Sequence, residues 1–153
     1  MRLRAILAVL IVTSPLTLCS PASNKNAEAE KIINQFFQTY KNTGHKEALV
    51  ALLALNKWIT NEDVNKLVSQ IDEMAVQIGK YYGYEKIGES TYGPSVIQYI
   101  YLANYERQPL KFIFRFYKAN DHWEFQSFNY EIDFMKELDE AGKAYRLEEN
   151  NNH

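Results

Sequence analysis

Apolar residues follow two different periods along the chain, a helical one up to about residue 82 and an extended one beyond residue 84. In the first part they recur at steps of three and four, which places them on one face of a helix. This spacing predicts helices over residues 27–40, 45–55 and 61–82. Thr60 and Asp63 are spaced as in a capping box at the start of the third helix. Gly83 is predicted to end that helix.

The extended part of the chain predicts four strands. β-branched and aromatic residues are frequent there, and the turn signals "YGP", "RQP" and "AND" divide it. The predicted strands cover residues 84–91, 95–106, 110–118 and 122–132. Short connections between consecutive strands favour an antiparallel meander. A last short helix is predicted over residues 134–144, followed by a polar tail at 145–153.

Helices and strands must bury their apolar faces against each other. The third predicted strand alternates clearly, with four apolar residues opposite a mixed set. The apolar row is Leu110, Phe112, Phe114 and Phe116, and the opposite face carries Lys111, Ile113, Arg115 and Tyr117. The phenylalanine row is expected under the helices. The sequence therefore predicts one α+β domain, with N-terminal helices packed on a curved four-stranded antiparallel sheet and a tapered hollow between them.

The first 22 residues have the order of a secretory signal peptide. Arg2 and Arg4 precede a short apolar run, and small residues ending at Ala22 follow. The run is shorter than the roughly 20 residues that a membrane-spanning helix needs. Cleavage after Ala22 predicts a periplasmic or secreted protein whose domain covers residues 27–144. The alternative is a membrane-anchored lipoprotein lipidated at Cys19, although Leu18 stands where the lipoprotein pattern has Gly, Ala or Ser.

Charge and cysteine content exclude several classes of protein. The formal net charge is -2 and the charged residues are scattered, so no basic surface indicates nucleic acid binding. Loss of Arg2 and Arg4 with the leader makes the domain more acidic. Cys19 is the single cysteine, so neither an internal disulfide nor a multi-cysteine metal site is expected.

The segment "YLANYERQPLKFIFRFYKANDHWEFQSFNY" and the order of elements resemble uncharacterised exported bacterial proteins of the nuclear-transport-factor-2-like, cystatin-like superfamily. The resemblance covers roughly residues 27–135. The residues that carry it are Phe114, Phe116, Tyr117, Lys118, Asp121, Trp123 and Phe128. It implies a cone-shaped fold of helices on a curved sheet, although the early strand usual in that superfamily is not predicted here. Because the superfamily includes enzymes and non-enzymes, the resemblance implies architecture and not chemistry.

Few residues show the spacing that catalysis requires. His45, His122 and His153 are predicted in loops or at the terminus without metal-ligand spacing, and no metal or cofactor is expected. No nucleophile motif occurs. An enzyme of the isomerase or dehydratase kind would need a pocket carboxylate beside a tyrosine hydroxyl. The acidic residues on or near strands are Glu106, Glu124, Glu131 and Asp133, for which structural roles are favoured.

Candidate binding residues lie on the second and third predicted strands. Tyr99, Tyr101 and Tyr105 share one face of their strand, and tyrosine is common on pocket walls and interfaces. Arg115 and Tyr117 lie on the face opposite the phenylalanine row. If that face is covered, Arg115 needs an anionic partner; if it is solvated, Arg115 is an ordinary surface residue. Both faces of residues 95–105 are apolar enough to suggest a partner, including a second copy in a homodimer.

These observations predict an exported, non-catalytic binding or protein-interaction module. Its partner is expected to be a small apolar ligand or a protein, with no nucleic acid, and with membrane contact only through lipid at Cys19. The alternative is a small-molecule isomerase or dehydratase-like enzyme. A buried acid facing a tyrosine hydroxyl favours the enzyme, and a hollow filled with Phe and Leu side chains leaves no active site and points to the outer surface of the sheet.

Overall fold

A computed structural model describes residues 26–151 of the chain, and the side chains of residues 26–143. The predicted leader, its cleavage site and Cys19 lie outside the described residues. The fold is α+β, as the sequence predicts, with three N-terminal helices, a four-stranded antiparallel sheet and a final helix. The elements are α1 (Ala27–Asn42), α2 (His45–Leu53), α3 (Asn61–Ile78), β1 (Tyr81–Tyr92), β2 (Val96–Tyr105), β3 (Leu110–Tyr117), β4 (Glu124–Glu131) and α4 (Phe134–Asn151).

The three N-terminal helices form where the helical period predicts them. The buried residues of α1 recur at steps of three and four and include Ile33, Phe36 and Phe37. The predicted capping box at α3 is confirmed, because the Thr60 hydroxyl accepts from the Asp63 N–H and the Asp63 carboxylate accepts from the Thr60 N–H at 3.0 Å. Both contacts satisfy helix-end donors that would otherwise lack a partner.

The end of α3 was predicted four residues too late. The helix ends at Ile78, and Gly79 follows with φ of +86°. This conformation is open to glycine and strained for other residues. A Cβ at Gly79 would also lie 2.7 Å from a Glu106 carboxylate oxygen. Gly83 has no positive φ and lies within β1, so α3 is ended by Gly79 and not by Gly83.

The sheet is an antiparallel meander in the order β1-β2-β3-β4. Tyr99 pairs with Phe114, and Tyr101 pairs with Phe112. Directly paired residues lie on the same side of a sheet. The tyrosine row of β2 and the phenylalanine row of β3 therefore share the face that lies under the helices.

Aromatic rings fill the space between the helices and the sheet. Phe36 lies at the centre, and Phe114, Phe112 and Phe128 pack around it at ring-centroid distances of 5.3, 6.1 and 5.7 Å. Phe112, Phe114 and Phe116 are fully buried, which confirms the predicted side of the phenylalanine row. The hollow expected from the sheet curvature is occupied at its centre by side chains of the protein itself.

The last helix is longer than predicted and runs from Phe134 to Asn151, so it includes most of the predicted polar tail. Gly142 lies within it and does not end it. A single glycine costs a helix about 1 kcal/mol, which good helix formers on both sides can offset. Lys111 on the outer face of β3 holds the start of α4 through Glu137, with Nζ 2.8 Å from Oε1. The outer face of the sheet is thus bordered by α4.

Candidate binding groove beside Trp58

An open groove of about 500 Å³ lies between the loop after α2 and the hairpin that joins β3 to β4. We call it the Trp58 groove. One wall is the loop at residues 54–60, which contributes Leu55, Lys57 and Trp58. The opposite wall is the hairpin between β3 and β4, with Tyr117 and Trp123. Its volume falls in the range of natural ligand clefts.

Trp58 is the most exposed aromatic side chain of the described residues, at 79% of its possible exposure. Large exposed apolar side chains beside a groove mark interaction sites more often than isolated ones do. Trp58 also lines a second depression of about 240 Å³, together with Leu53, Ile59 and Phe128. Trp58 therefore borders two depressions, with its ring available to a partner.

Asn56 fixes the position of the Trp58 loop. It is the one buried polar residue among residues 26–143. Its side-chain Nδ2 donates to the backbone oxygen of Gln126 at 2.8 Å, and its Oδ1 accepts from the Trp58 N–H at 3.0 Å. Buried polar groups with satisfied hydrogen bonds hold one conformation firmly. The loop backbone is thus anchored to β4, while the Trp58 ring projects outward.

Trp123 forms the buried part of the opposite wall. Only 9% of it is exposed, and the Lys118 ammonium lies 5.1 Å from its ring centroid. Its backbone N–H donates to a carboxylate oxygen of Glu28 at 2.9 Å, which joins the hairpin to the first turn of α1. The two tryptophans therefore differ in role, because one is held in the fold and the other is presented to solvent.

The five residues predicted as a binding surface do not lie together. Tyr99, Tyr101 and Tyr105 are buried under the helices, as part of the core. Arg115 is half-buried on the opposite face of the sheet, where its Nε donates to Gln98 Oε1 at 2.8 Å. Tyr117 is exposed and is the one of the five that lines the Trp58 groove.

A tyrosine cluster closes the other end of the core. The Tyr40 and Tyr105 hydroxyls hydrogen-bond to each other, and the Tyr81 ring lies 4.9 Å from Tyr40. Burial, and after it the neighbouring Tyr105, raises the pKa of Tyr40 far above its ordinary value. The hydroxyls therefore stay protonated and serve as neutral hydrogen-bonding groups. None of these three tyrosines lines the Trp58 groove.

The His45 ring nitrogen Nε2 and the Asp72 carboxylate are hydrogen-bonded near this cluster, a contact that the sequence did not predict. The two residues are 27 positions apart, and neither carries a spacing signal. The His45 ring centroid lies 6.1 Å from that of Tyr40. Asp72 is more than half exposed, which places the pair at the surface, where it ties the start of α2 to α3.

The acidic residues considered for catalysis lie outside the core. Glu106, Glu124 and Asp133 are exposed, and Glu131 forms an ion pair with Lys111. Within residues 26–143 every Asp and Glu side chain retains contact with solvent. In that same part of the chain, no three His, Cys, Asp or Glu side chains come close enough together to hold a metal ion.

The helices that the structure describes are too short or too polar to cross a lipid bilayer. No family model matches the sequence, and comparison with curated proteins and with solved structures finds no match. The assignment of function therefore depends on the geometry of the Trp58 groove and on the sequence.

Proposed function

We propose that this protein is an exported, non-catalytic interaction module that binds an extended segment of a protein partner in the Trp58 groove. The observation that carries the proposal is the exposed Trp58 ring bordering two depressions, on a loop anchored by Asn56. Tryptophan and tyrosine supply much of the binding energy at protein interfaces. A loop already held in place loses little conformational entropy on binding.

The packing of the domain supports binding at this groove over binding inside the fold. The rings around Phe36 leave the centre between helices and sheet occupied. The groove, in contrast, is open and combines apolar walls with Lys57, Glu124 and Gln126 at its surface. An apolar anchor beside Trp58 with polar contacts around it is the usual composition of a protein interface.

The catalytic alternative receives less support from the described residues. An isomerase or dehydratase-like enzyme would place a buried carboxylate against a tyrosine hydroxyl in a dry pocket. Glu30 and Glu89 lie near Tyr99, but both are about one-third exposed and pair with Lys86, so neither is an isolated acid in a dry pocket. We therefore place recognition, and not general acid or base chemistry, at the centre of the function.

Selection of peptides from a random display library against the wild-type protein tests the proposal. Trp58→Ala is expected to weaken binding of the selected peptides at least about 30-fold, as for an interface hot spot. The dissociation constants can be measured by fluorescence anisotropy of the labelled peptides. Trp58→Ala is not expected to unfold the domain, because little of the ring is buried.

Val76→Ala provides the matched control. Val76 is 85% exposed on α3 and lines neither depression, so its removal is expected to leave the dissociation constants unchanged. Peptides that bind Trp58→Ala as tightly as the wild type would contradict the proposal. The proposal would also be contradicted if the selection enriched no peptide that binds the wild type better than Trp58→Ala.

Export and the finer fold family are also proposals. We infer export from the order of residues 1–22, and a cone of the nuclear-transport-factor-2-like superfamily from the strand–turn–strand segment ending at Tyr130. Helices followed by an antiparallel meander agree with that fold.

Intact mass measurement of the mature protein is expected to find Ser23 as its first residue. The sample is the full coding sequence expressed in a bacterium with a functional export pathway. A diacylglycerol-modified Cys19 would instead assign a lipoprotein. An unprocessed Met1 terminus on the folded protein would overturn export altogether.

A further inference from the structure

The two edges of the sheet differ in how they are covered. At β4, the backbone oxygen of Gln126 accepts from Asn56, so the Trp58 loop contacts that edge at this residue. At β1, the backbone of residues 81–92 pairs with β2 on one side. Among the described residues, no hydrogen bond reaches the backbone of residues 81–92 on its other side. Within the described part of the chain, the β1 edge therefore presents a row of backbone donors and acceptors with which another strand can pair.

Large side chains of β1 are exposed as well, although Tyr84 stacks on Phe37 of α1 at a ring-centroid distance of 3.7 Å. Four of them are large, apolar or aromatic, and exposed: Tyr82, Tyr84, Ile87 and Tyr92. Tyr82 and Tyr92 are the most exposed of these, at 65% and 60%. A long edge strand with such side chains is prone to strand addition unless something restricts its pairing. The pairing of β1 is irregular at two places, between Tyr81 and Gly83 at its start and between Lys86 and Gly88 in its middle, where Ile87 is an extra residue with no partner in β2.

A strand that pairs with β1 must leave Ile87 unpaired, as β2 does on the other side. A second copy of β1, related by a two-fold axis perpendicular to the sheet, carries the same extra residue at the matching place. We propose that two copies of this chain pair antiparallel along β1, with Gly88 of each copy beside the axis, to form one continuous eight-stranded sheet.

The charges of β1 are complementary in this register. Lys86 and Glu89 both lie on the helix-facing side, since they pair with Tyr101 and Tyr99 of β2. Antiparallel pairing about Gly88 places Lys86 of one copy opposite Glu89 of the other, twice in the dimer. Both side chains are about one-third exposed; within one chain Lys86 pairs with Glu89 and with Glu30 of α1, and in the dimer it would share Glu89 contacts across the edge. Opposite charges directly across two strands stabilise a sheet, and like charges destabilise it.

The outer face is complementary in shape in the same register. Tyr92 lies on that face with Gly83, since they pair with Val96 and Asn104. Pairing about Gly88 places the Tyr92 ring of one copy opposite Gly83 of the other. A Cβ at Gly83 would have no atom within 4 Å, so this position is open to a ring from outside. An aromatic side chain across from a strand glycine covers the backbone that the glycine exposes.

The dimer is tested by two single charge reversals and their mixture. Sedimentation equilibrium of the full protein from about 1 to about 300 μM should show a monomer–dimer equilibrium, since dimerisation follows mass action. Lys86→Glu creates two Glu–Glu contacts across the edge, and Glu89→Lys creates two Lys–Lys contacts. Each variant alone is expected to dimerise at least about tenfold more weakly than the wild type.

An equimolar mixture of the two variants is expected to recover the dimer. In the mixed pair, the carboxylate introduced by Lys86→Glu in one chain faces the ammonium introduced by Glu89→Lys in the other. The unchanged Glu89 of the first chain faces the unchanged Lys86 of the second, so both contacts become attractive. Within one chain, residues 86 and 89 carry the same charge in each variant and repel each other. This contact therefore cannot account for recovery of the dimer in the mixture. Lys31→Glu, at an exposed position on α1, is the charge-matched control and should dimerise like the wild type.

Three results would overturn the proposal. The first is a wild type that stays monomeric over the whole concentration range. The second is dimerisation of Lys86→Glu or Glu89→Lys as strong as that of the wild type, which would place the interface elsewhere. The third is loss of the dimer in both variants without recovery in the mixture. Thermal unfolding of each variant at low concentration shows whether its fold is intact before these results are compared.

Discussion

Phe36→Ala is expected to destabilise the fold by about 3 to 5 kcal/mol, the range for removing a buried aromatic ring from a core. The Phe36 ring lies against Phe37, Phe114 and Phe128 at centroid distances of 5.1, 5.3 and 5.7 Å. Its removal leaves a cavity between α1 and the sheet that these rigid rings cannot close. Urea unfolding followed by far-ultraviolet circular dichroism gives the free energy of unfolding.

Phe36→Leu and Tyr82→Ala are the matched controls for this measurement. Leucine keeps part of the volume, so its loss of stability should be smaller than that of alanine. Tyr82 is mostly exposed on β1, so its replacement should change stability by less than about 0.5 kcal/mol in dilute solution. A change below about 1 kcal/mol for Phe36→Ala would mean that α1 does not pack on the sheet as described.

Trp123→Ala is also expected to cost about 3 to 5 kcal/mol of stability. The ring is almost wholly buried, and its loss removes the apolar wall between α1 and the β3–β4 hairpin. The hydrogen bond from the Trp123 N–H to Glu28 belongs to the backbone and survives the substitution. The measured loss therefore reports the side chain alone.

Trp58→Ala separates folding from binding when it is compared with Trp123→Ala. The same substitution at the exposed tryptophan should change the free energy of unfolding by less than about 0.5 kcal/mol. Equal losses of stability at Trp58 and Trp123 would contradict the assignment of one ring to the core and the other to the surface. Such a result would also remove the reason for expecting a partner at Trp58.

The sequence predicted the elements well because each carries a local signal. The capping box at Thr60 and the alternation of residues 110–116 depend on neighbours within a few positions. The end of α3 was misplaced because Tyr81 and Tyr82 fit either period, and two glycines, Gly79 and Gly83, could end the helix. The two glycines differ because Gly79 has a positive φ and Gly83 does not, and the sequence alone does not reveal φ.

The candidate site could not be predicted in the same way. The Trp58 groove depends on the hydrogen bond between Asn56 and Gln126, which are 70 positions apart. No periodicity links a loop after α2 to an edge strand near the end of the chain. One local feature of the sequence points to this site. A tryptophan lies in the polar loop "NKWIT", between α2 and α3 and outside the apolar faces of both helices.

The tyrosine row illustrates the limit of alternation as evidence. Alternation shows that Tyr99, Tyr101 and Tyr105 share a face, but it does not say which face meets the helices. That choice is set by the register of β2 on β3, where Tyr99 pairs with Phe114. The tyrosines belong to the core because the residues that they pair with on β3 are core residues. Exposed residues that could bind a partner therefore lie in loops and at the edges of the sheet.

The partner segment is expected to bind in the Trp58 groove and not on either face of the sheet. Titration of isotope-labelled protein with a selected peptide, followed by amide chemical shifts, tests this claim directly. The account predicts that the largest shifts fall at residues 55–59 and 124–126, which form the two walls of the groove. Largest shifts at residues 98–104 and 111–115, with residues 55–59 unchanged, would contradict it.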